Sequence, residues 1–161
     1  MVIDLIQQKH DGIDMNTISM VELLDDVMMK ALNLRFGYKF TEKTTLYFEF
    51  GHNNPKILLE QQEAVRNVVR LHNGSDLLFT KNEEERDLLW KARKAALFAT
   101  EVLRANEKKA LKIWTTDACV PISKLSRCVV ETKKDILKSS LYAPIAAHSG
   151  VKTNQKFFFL T

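Results

Sequence analysis

The chain predicts a mixed helix-and-strand domain, and three observations predict it. Strand-like and helix-like segments take turns along the sequence, separated by short linkers. The strand-like segments are apolar on one side: Leu46, Phe48 and Phe50 share a face, and Tyr47 and Glu49 share the other. A length of 161 residues with 45% hydrophobic and 27% charged side chains suits one proper core, or a piece of a larger one. Strict alternation favours a parallel sheet. An antiparallel α+β arrangement with helices packed on one face gives the same order, and periodicity leaves both open.

The elements follow in turn. Residues 2–10 suit a helix with Ile3, Leu5 and Ile6 apolar, ended by Asp11-Gly12. This opening lacks the basic flank of a secretory signal and the Arg/Ser richness of an organelle presequence. It reads as a helix entered midway, so the chain is expected to start inside a domain. Thr17 to Leu23 alternates and predicts a strand. Asp25-Asp26 caps a helix to about Leu34, with Met28 and Met29 as core filling. Thr45 to Phe50 is the clearest strand. Asn53-Asn54-Pro55 opens a helix whose buried stripe is Leu58, Val65, Val68 and Val69. Asn73-Gly74 stops it, with Gly74 expected in the left-handed position.

Asp76 to Thr80 reads as a short strand. Asn82, followed by Glu83, Glu84 and Glu85, opens the helix that carries Trp90 and Arg93. Leu111 to Val120 predicts one strand or two short ones. Pro121 breaks it, and Ser123 caps a helix to about Lys138. Tyr142 to His148 is a last strand. The segment 151–161 differs in character: a polar stretch, then the apolar run Phe157-Phe158-Phe159-Leu160.

Several function classes fall away. The net charge is +4, from 24 basic and 20 acidic side chains, gathered at Arg104 to Lys112 and Lys124 to Lys138. That is too mild and broken a surface for nucleic acid, so no nucleic-acid partner is expected. Cys119 and Cys128 lack Cys-x-x-Cys spacing and are expected to be buried free thiols. No apolar run reaches the roughly 18 residues of a transmembrane helix. His10, His52 and His72 have no partner at useful spacing and are expected on the surface.

Three residues could carry chemistry. Trp90, Arg93 and Leu97 recur at helical spacing and share a face. A guanidinium there can hold a carboxylate through two parallel hydrogen bonds. Asp117 lies in an apolar strand and asks for a partner, either Arg93 or backbone donors. His148 ends a strand. One histidine cannot hold a transition metal, which usually takes three or four protein ligands.

Five motifs then fall in a telling order: Val21-Glu22-Leu23-Leu24-Asp25-Asp26, Phe48-Glu49-Phe50, Trp90-x-x-Arg93-Lys94, Thr116-Asp117-x-Cys119-Val120-Pro121-Ile122-Ser123, and Ala143-Pro144-Ile145-x-x-His148. From about residue 2 to residue 150 the chain resembles the C-terminal domain of FAD-linked 2-hydroxyacid oxidoreductases, above all those of the cytochrome-type D-lactate dehydrogenase group. The resemblance implies an α+β fold, an antiparallel sheet with helices packed on one face (a ferredoxin-like cap domain), here incomplete. It makes 1–150 a partial substrate domain and 151–161 a non-matching tail, with the flavin-binding domain absent.

The resemblance also implies roles. Arg93 would bind the substrate carboxylate, with Trp90 fixing the Arg stem and Asp117 supporting it. His148 would be a vestigial ligand of a divalent metal, Zn or Mn. The family's strand ends in Gly-His-x-Gly-Asp-Gly-Asn-x-His; here Ala147 replaces the first Gly, Val151-Lys152-Thr153-Asn154-Gln155 follows, and Gln155 stands at the second ligand position. Relatives acting on D-2-hydroxyglutarate keep a Thr one turn after the Arg and a Lys two before the Asp. Leu97 and Thr115 stand there instead, which suits a small substrate.

The implied function is oxidation of a 2-hydroxy acid, D-lactate to pyruvate, on FAD in mitochondria. Electrons would pass to cytochrome c or a similar acceptor, with a flavin-domain partner possible. The isolated chain, as a truncated product, is expected to be inactive. The alternative is a non-catalytic carboxylate-binding or subunit-interaction module.

Overall fold

The computed structural model of the chain describes residues 18–75, 77–104, 113–139, 141–148 and, as backbone alone, 157–160. The elements are β1 (Ile18–Leu24), α1 (Asp26–Phe36), β2 (Thr45–Phe50), α2 (Pro55–Leu71), α3 (Glu83–Ala99) running into a 3-10 turn (Thr100–Arg104), β3 (Thr115–Ala118), α4 (Ile122–Lys138), β4 (Ile145–His148) and β5 (Phe157–Leu160). The expected helix over 2–10 lies outside the described residues.

The strands make one sheet in the order β2-β1-β4-β5-β3. Every neighbouring pair is antiparallel. The α+β reading is therefore borne out, and the parallel alternative is not. Phe157–Leu160, from the segment set apart as a tail, is the strand that joins β3 to β4.

The helices were expected on one face. They divide two and two, a correction that the pleat explains. Along β1, Leu24 meets α1 and α3, through Met28, Met29, Ala31, Leu32, Ala92, Ala96 and Ala99. Its neighbour Leu23 turns the other way, towards Leu125 and Ile136 of α4, and Val21 meets Val65 and Val69 of α2. The runs Leu23-Leu24 and Ile145-Ala146-Ala147 are buried without alternation, as strands covered on both sides are. The alanine stripe of α3 lets it lie close to α1.

Caps set the helix starts. Asp25 accepts from the Met28 N–H at 2.8 Å, Asn54 from Lys56 at 3.0 Å and Asn82 from Glu85 at 2.9 Å. The helix α4 differs from expectation. It begins at Ile122, with Pro121 at the cap position and no side-chain cap bond, because proline's fixed φ (here −55°) already suits a helical start. Ser123 falls inside the first turn.

After α2 it is Asn73, at φ 55°, that takes the left-handed conformation; Gly74 serves a different need. A Cβ on Gly74 would stand 2.6 Å from Val69 Cγ1, and its N–H bonds the Val69 carbonyl at 2.9 Å. Gly37 closes α1 at φ 71°.

Two other expectations fail locally. Residues 77–80 form no strand: Leu78 is 97% exposed, and no ladder partner faces the segment among the described residues. Cys119 is exposed and Cys128 half-buried, both free, so neither is the buried thiol expected.

An ionic clasp ties α4 to the end of β1. Lys133 Nζ contacts Asp25 Oδ2, and Asp26 Oδ1 at 2.8 Å. Burial pushes the Asp25 carboxyl above its ordinary range, against the lowering pull of Lys133 and the Met28 N–H. For Asp26, burial also pushes upward, but the Lys133 ammonium prevails and the group sits below its usual range. Burial alone would lower Lys133; its two carboxylate partners outweigh that and hold it above the ordinary lysine value.

The alkaline limb of stability follows. Burial raises the Tyr47 phenol to about 12, offset in part by Arg93 and augmented by Tyr38. Above pH 10 the unfolded chain sheds protons that folded Tyr47 and Lys133 retain, so stability falls as pH rises. While only one group ionises in the unfolded chain, the slope is about 1.4 kcal/mol per pH unit. Urea midpoints recorded across that range should fall steadily in the wild type. Tyr47→Phe should remove the phenol's share and leave that of Lys133. Asp25→Ala, which loses both cap and clasp, should cost about 2 kcal/mol at neutral pH with an unchanged urea slope.

A candidate site around Glu22

The pleat of β1 aims Glu22 at the α3 side of the sheet. In register it stands opposite Tyr47 of β2 and His148 of β4. A carboxylate placed there is almost sealed, with 8% of its side chain exposed. Burial of that kind is costly unless the charge is paired and every lone pair is used.

Two residues supply the pairing. Arg93 donates from Nε at 2.9 Å and Nη2 at 2.8 Å, both to Glu22 Oε2. The ring of His148 meets the other oxygen, Nδ1 to Oε1 at 2.8 Å. An ionised carboxylate only accepts, so Nδ1 carries the proton. That leaves Arg93 Nη1 and His148 Nε2 as the outward nitrogens. Among the described residues neither has a hydrogen-bond partner. Arg93 is 17% and His148 30% exposed. Beside them the buried Tyr47 hydroxyl has no partner among the described residues.

The structure thus brings together Arg93 and His148, which sit 55 positions apart in sequence (148 minus 93), through a residue that sequence reasoning passed over. Glu22 was legible as a lone carboxylate inside Val21-Glu22-Leu23-Leu24, the same signal that drew attention to Asp117.

Asp117 does not fill the expected place. It is exposed on β3, and the guanidinium it was to meet is taken by Glu22. Its row runs Asp117–Phe158–Ala146, which sets it two strands from β4, roughly 10 Å away. Water solvates it there, so burial demands no partner. Trp90 is half-buried, one turn before Arg93. The described cation–π contact is Arg66 over Phe79, at 5.5 Å, and Arg93 spends its donors on Glu22. Leu97, one turn on, is 39% exposed. His52 is half-buried and accepts from the Asn54 N–H at 2.9 Å, His72 is exposed, and His10 lies outside the described residues.

The described residues do not by themselves make a metal site. Among the described residues no group of three His, Cys, Asp or Glu converges, and Glu22 is committed to Arg93 and His148. The helices begin at Asp25, Asn54, Asn82 and Pro121, none in the glycine-rich turn that cradles a dinucleotide's phosphates. Among the described residues no helix is long and apolar enough to cross a membrane.

The antiparallel α+β sheet agrees with what comparison with known proteins finds. Residues 11–154 match the family model described as FAD linked oxidases, C-terminal domain. The chain belongs to that family, whose members are FAD-dependent oxidoreductases.

Among its relatives is the probable D-lactate dehydrogenase, mitochondrial, of Danio rerio, 39% identical over 133 residues; the match takes in 83% of this chain and 26% of that protein. The D-lactate dehydrogenase (cytochrome) 1, mitochondrial, of Saccharomyces cerevisiae is 36% identical over 144 residues, 88% of this chain and 24% of that one. The D-lactate dehydrogenase (cytochrome), mitochondrial, of Arabidopsis thaliana is 38% identical over 133 residues, 83% and 23%. The chain spans about a quarter of the length of these relatives.

Removing one partner of the buried pair exposes its cost. Arg93→Ala leaves Glu22 charged and sealed, and should lower stability by about 3 kcal/mol in urea denaturation. A loss below about 0.5 kcal/mol would mean that the pair contributes no more than an exposed one.

Proposed function

We propose that this chain forms the substrate side of an FAD-dependent D-2-hydroxyacid oxidoreductase acting on D-lactate. The observation that carries the reading is the placement of two unlike outward nitrogens, Arg93 Nη1 and His148 Nε2, on either side of one carboxylate. A 2-hydroxy acid presents a carboxylate and a hydroxyl on adjacent carbons. The guanidinium suits the first as a donor, and the imidazole nitrogen suits the second as an acceptor.

D-lactate becomes pyruvate by losing two electrons and two protons. The flavin, when bound, takes the hydride from C2; no side chain here can do so. What this chain contributes is grip, orientation and an acceptor for the hydroxyl hydrogen bond. The small substrate fits the site's surroundings, since Leu97 offers nothing to a second carboxylate. Tyr47, buried and with no hydrogen-bond partner for its hydroxyl among the described residues, stands opposite Glu22 in the sheet.

By likeness to the relatives, the electrons pass on to cytochrome c or a similar acceptor, and the work is done in mitochondria. A flavin-bearing body of protein is the partner that this reading requires. Alone, the chain binds D-lactate and does not oxidise it.

Calorimetric titration tests this. D-lactate should give a saturable heat with the wild-type chain. With Arg93→Ala the affinity should drop at least tenfold, as expected for losing a charge-assisted contact. No heat with either chain removes the ligand-binding reading. Flavin absorbance in the purified chain, bleached by D-lactate, would overturn the statement that it cannot oxidise alone.

A further inference from the structure

The sheet ends in two unlike edges. Strand β2 is one and β3 the other, and among the described residues each pairs with a single neighbour. An edge presents a row of unpaired N–H and C=O groups, and proteins blunt such rows with short strands, charges or proline. The β3 edge is blunted. It has four residues, the first three exposed and Asp117 among them, and Pro121 follows closely. The β2 edge is not. Its six residues, Thr45-Leu46-Tyr47-Phe48-Glu49-Phe50, are β-branched or aromatic except for Leu46 and Glu49, with no proline, no glycine and a single charge. We infer that β2 is an interaction surface for a second copy of this chain, joined edge to edge about a two-fold axis as a closed dimer.

Symmetry and charge set the register. A two-fold axis perpendicular to the sheet makes β2 antiparallel to its own image and brings like faces together. With Leu46 on the axis, Thr45 stands opposite Tyr47 of the partner subunit, and Lys43 opposite Glu49 of the partner subunit. These charges are opposite in sign, and the symmetry forms the pair twice. Among the described residues neither the Lys43 ammonium nor the Glu49 carboxylate has an ionic partner in its own copy. Thr45 Oγ1 donates to the Lys43 carbonyl at 2.8 Å, which ties Lys43 to the start of the strand. Moving the axis to Glu49 would set two carboxylates against each other. Moving it to Tyr47 would leave both charges facing neutral groups.

The helical cover permits the approach. Helix α2 straddles the two outer strands, meeting Ile18 and Val21 of β1 and Phe48 and Phe50 of β2. Its image across the axis therefore lies roughly 10 Å away, an ordinary distance between packed helices. One continuous sheet then runs through both copies, with both Glu22 sites on the same face. The inequality of the edges also favours closure. Joining β2 of one copy to β3 of the next would be head-to-tail pairing that grows without end, and the short, charged β3 opposes it.

Sedimentation equilibrium of the full chain over a concentration series tests this. The wild type should pass from monomer to dimer and no further. Lys43→Glu and Glu49→Lys each set like charges opposite one another at both symmetric places, and each should weaken the dimer about tenfold. The double variant Lys43→Glu/Glu49→Lys restores both pairs with their signs exchanged and should regain wild-type association.

A wild type that stays monomeric at every concentration overturns the inference. So does a dimer that neither single substitution weakens, since its contact then lies elsewhere. Weakening by the single substitutions without recovery in the double variant overturns the pairing of Lys43 with Glu49. Species that keep growing with concentration overturn the closed two-fold. Should a single variant not fold, the wild-type series and the double variant still decide.

Discussion

One buried carboxylate organises this domain. Glu22 sits in the second strand of the sheet, between the buried Val21 and Leu23, and its charge cannot be left alone there. Desolvating such an ion costs several kcal/mol. Only a guanidinium from the layer above and a ring from the neighbouring strand offset that. The α3 helix therefore has one acceptable register over the sheet, the one that delivers Arg93. Strand β4 likewise has one acceptable register beside β1, the one that delivers His148. A slip of one residue would turn His148 to the opposite face and leave Oε1 bare.

The same strand carries a second ionic anchor three residues on. Asp25 caps α1 and receives Lys133 from α4, which packs on the opposite face of the sheet from α3. Each helical layer is thus pinned to β1 by one cation: Arg93 from one side, Lys133 from the other. Aliphatic packing supplies the bulk of the stability, at roughly 1.5–3 kcal/mol per buried large side chain. It does not discriminate well between neighbouring registers, since Leu, Val and Ala contacts tolerate sliding. The ion pairs contribute little net energy after desolvation and act instead by making wrong registers expensive.

What was legible in the sequence is what is local. Caps at Asp25, Asn54 and Asn82, the paired methionines, and the positions of Arg93 and His148 all rest on interactions within a few residues or on recognisable motifs. The failures share a cause. Asp117 and Glu22 look alike in sequence, a carboxylate between apolar neighbours. Which one is buried depends on strand order: β1 has neighbours on both sides and helices above and below, while β3 is an edge strand whose first three residues are exposed. Strand order is a long-range property. The two-sided helical cover is of the same kind, although the unbroken apolar runs at 23–24 and 145–147 carried a hint of it. Phe157–Leu160 could not be placed by local reasoning at all, since its role is to bridge strands from distant parts of the chain.

A free arginine would grip a small anion more strongly than the one present. Its field would be undiminished, and all five donors would be available. Pairing it with Glu22 gives up that strength in exchange for direction: the planar group is locked by two bonds, and the outward Nη1 is set at a fixed place relative to His148 Nε2. For a binding protein the exchange would be a poor one. Under the proposed function, in which the site holds a hydroxy acid in one pose and then releases its oxidised product, it is favourable. Uniformly tight binding does nothing for turnover, whereas a fixed orientation removes the entropy of finding the reactive geometry. The neutralised arginine thus suits the proposed reaction better than it would suit simple capture of an anion.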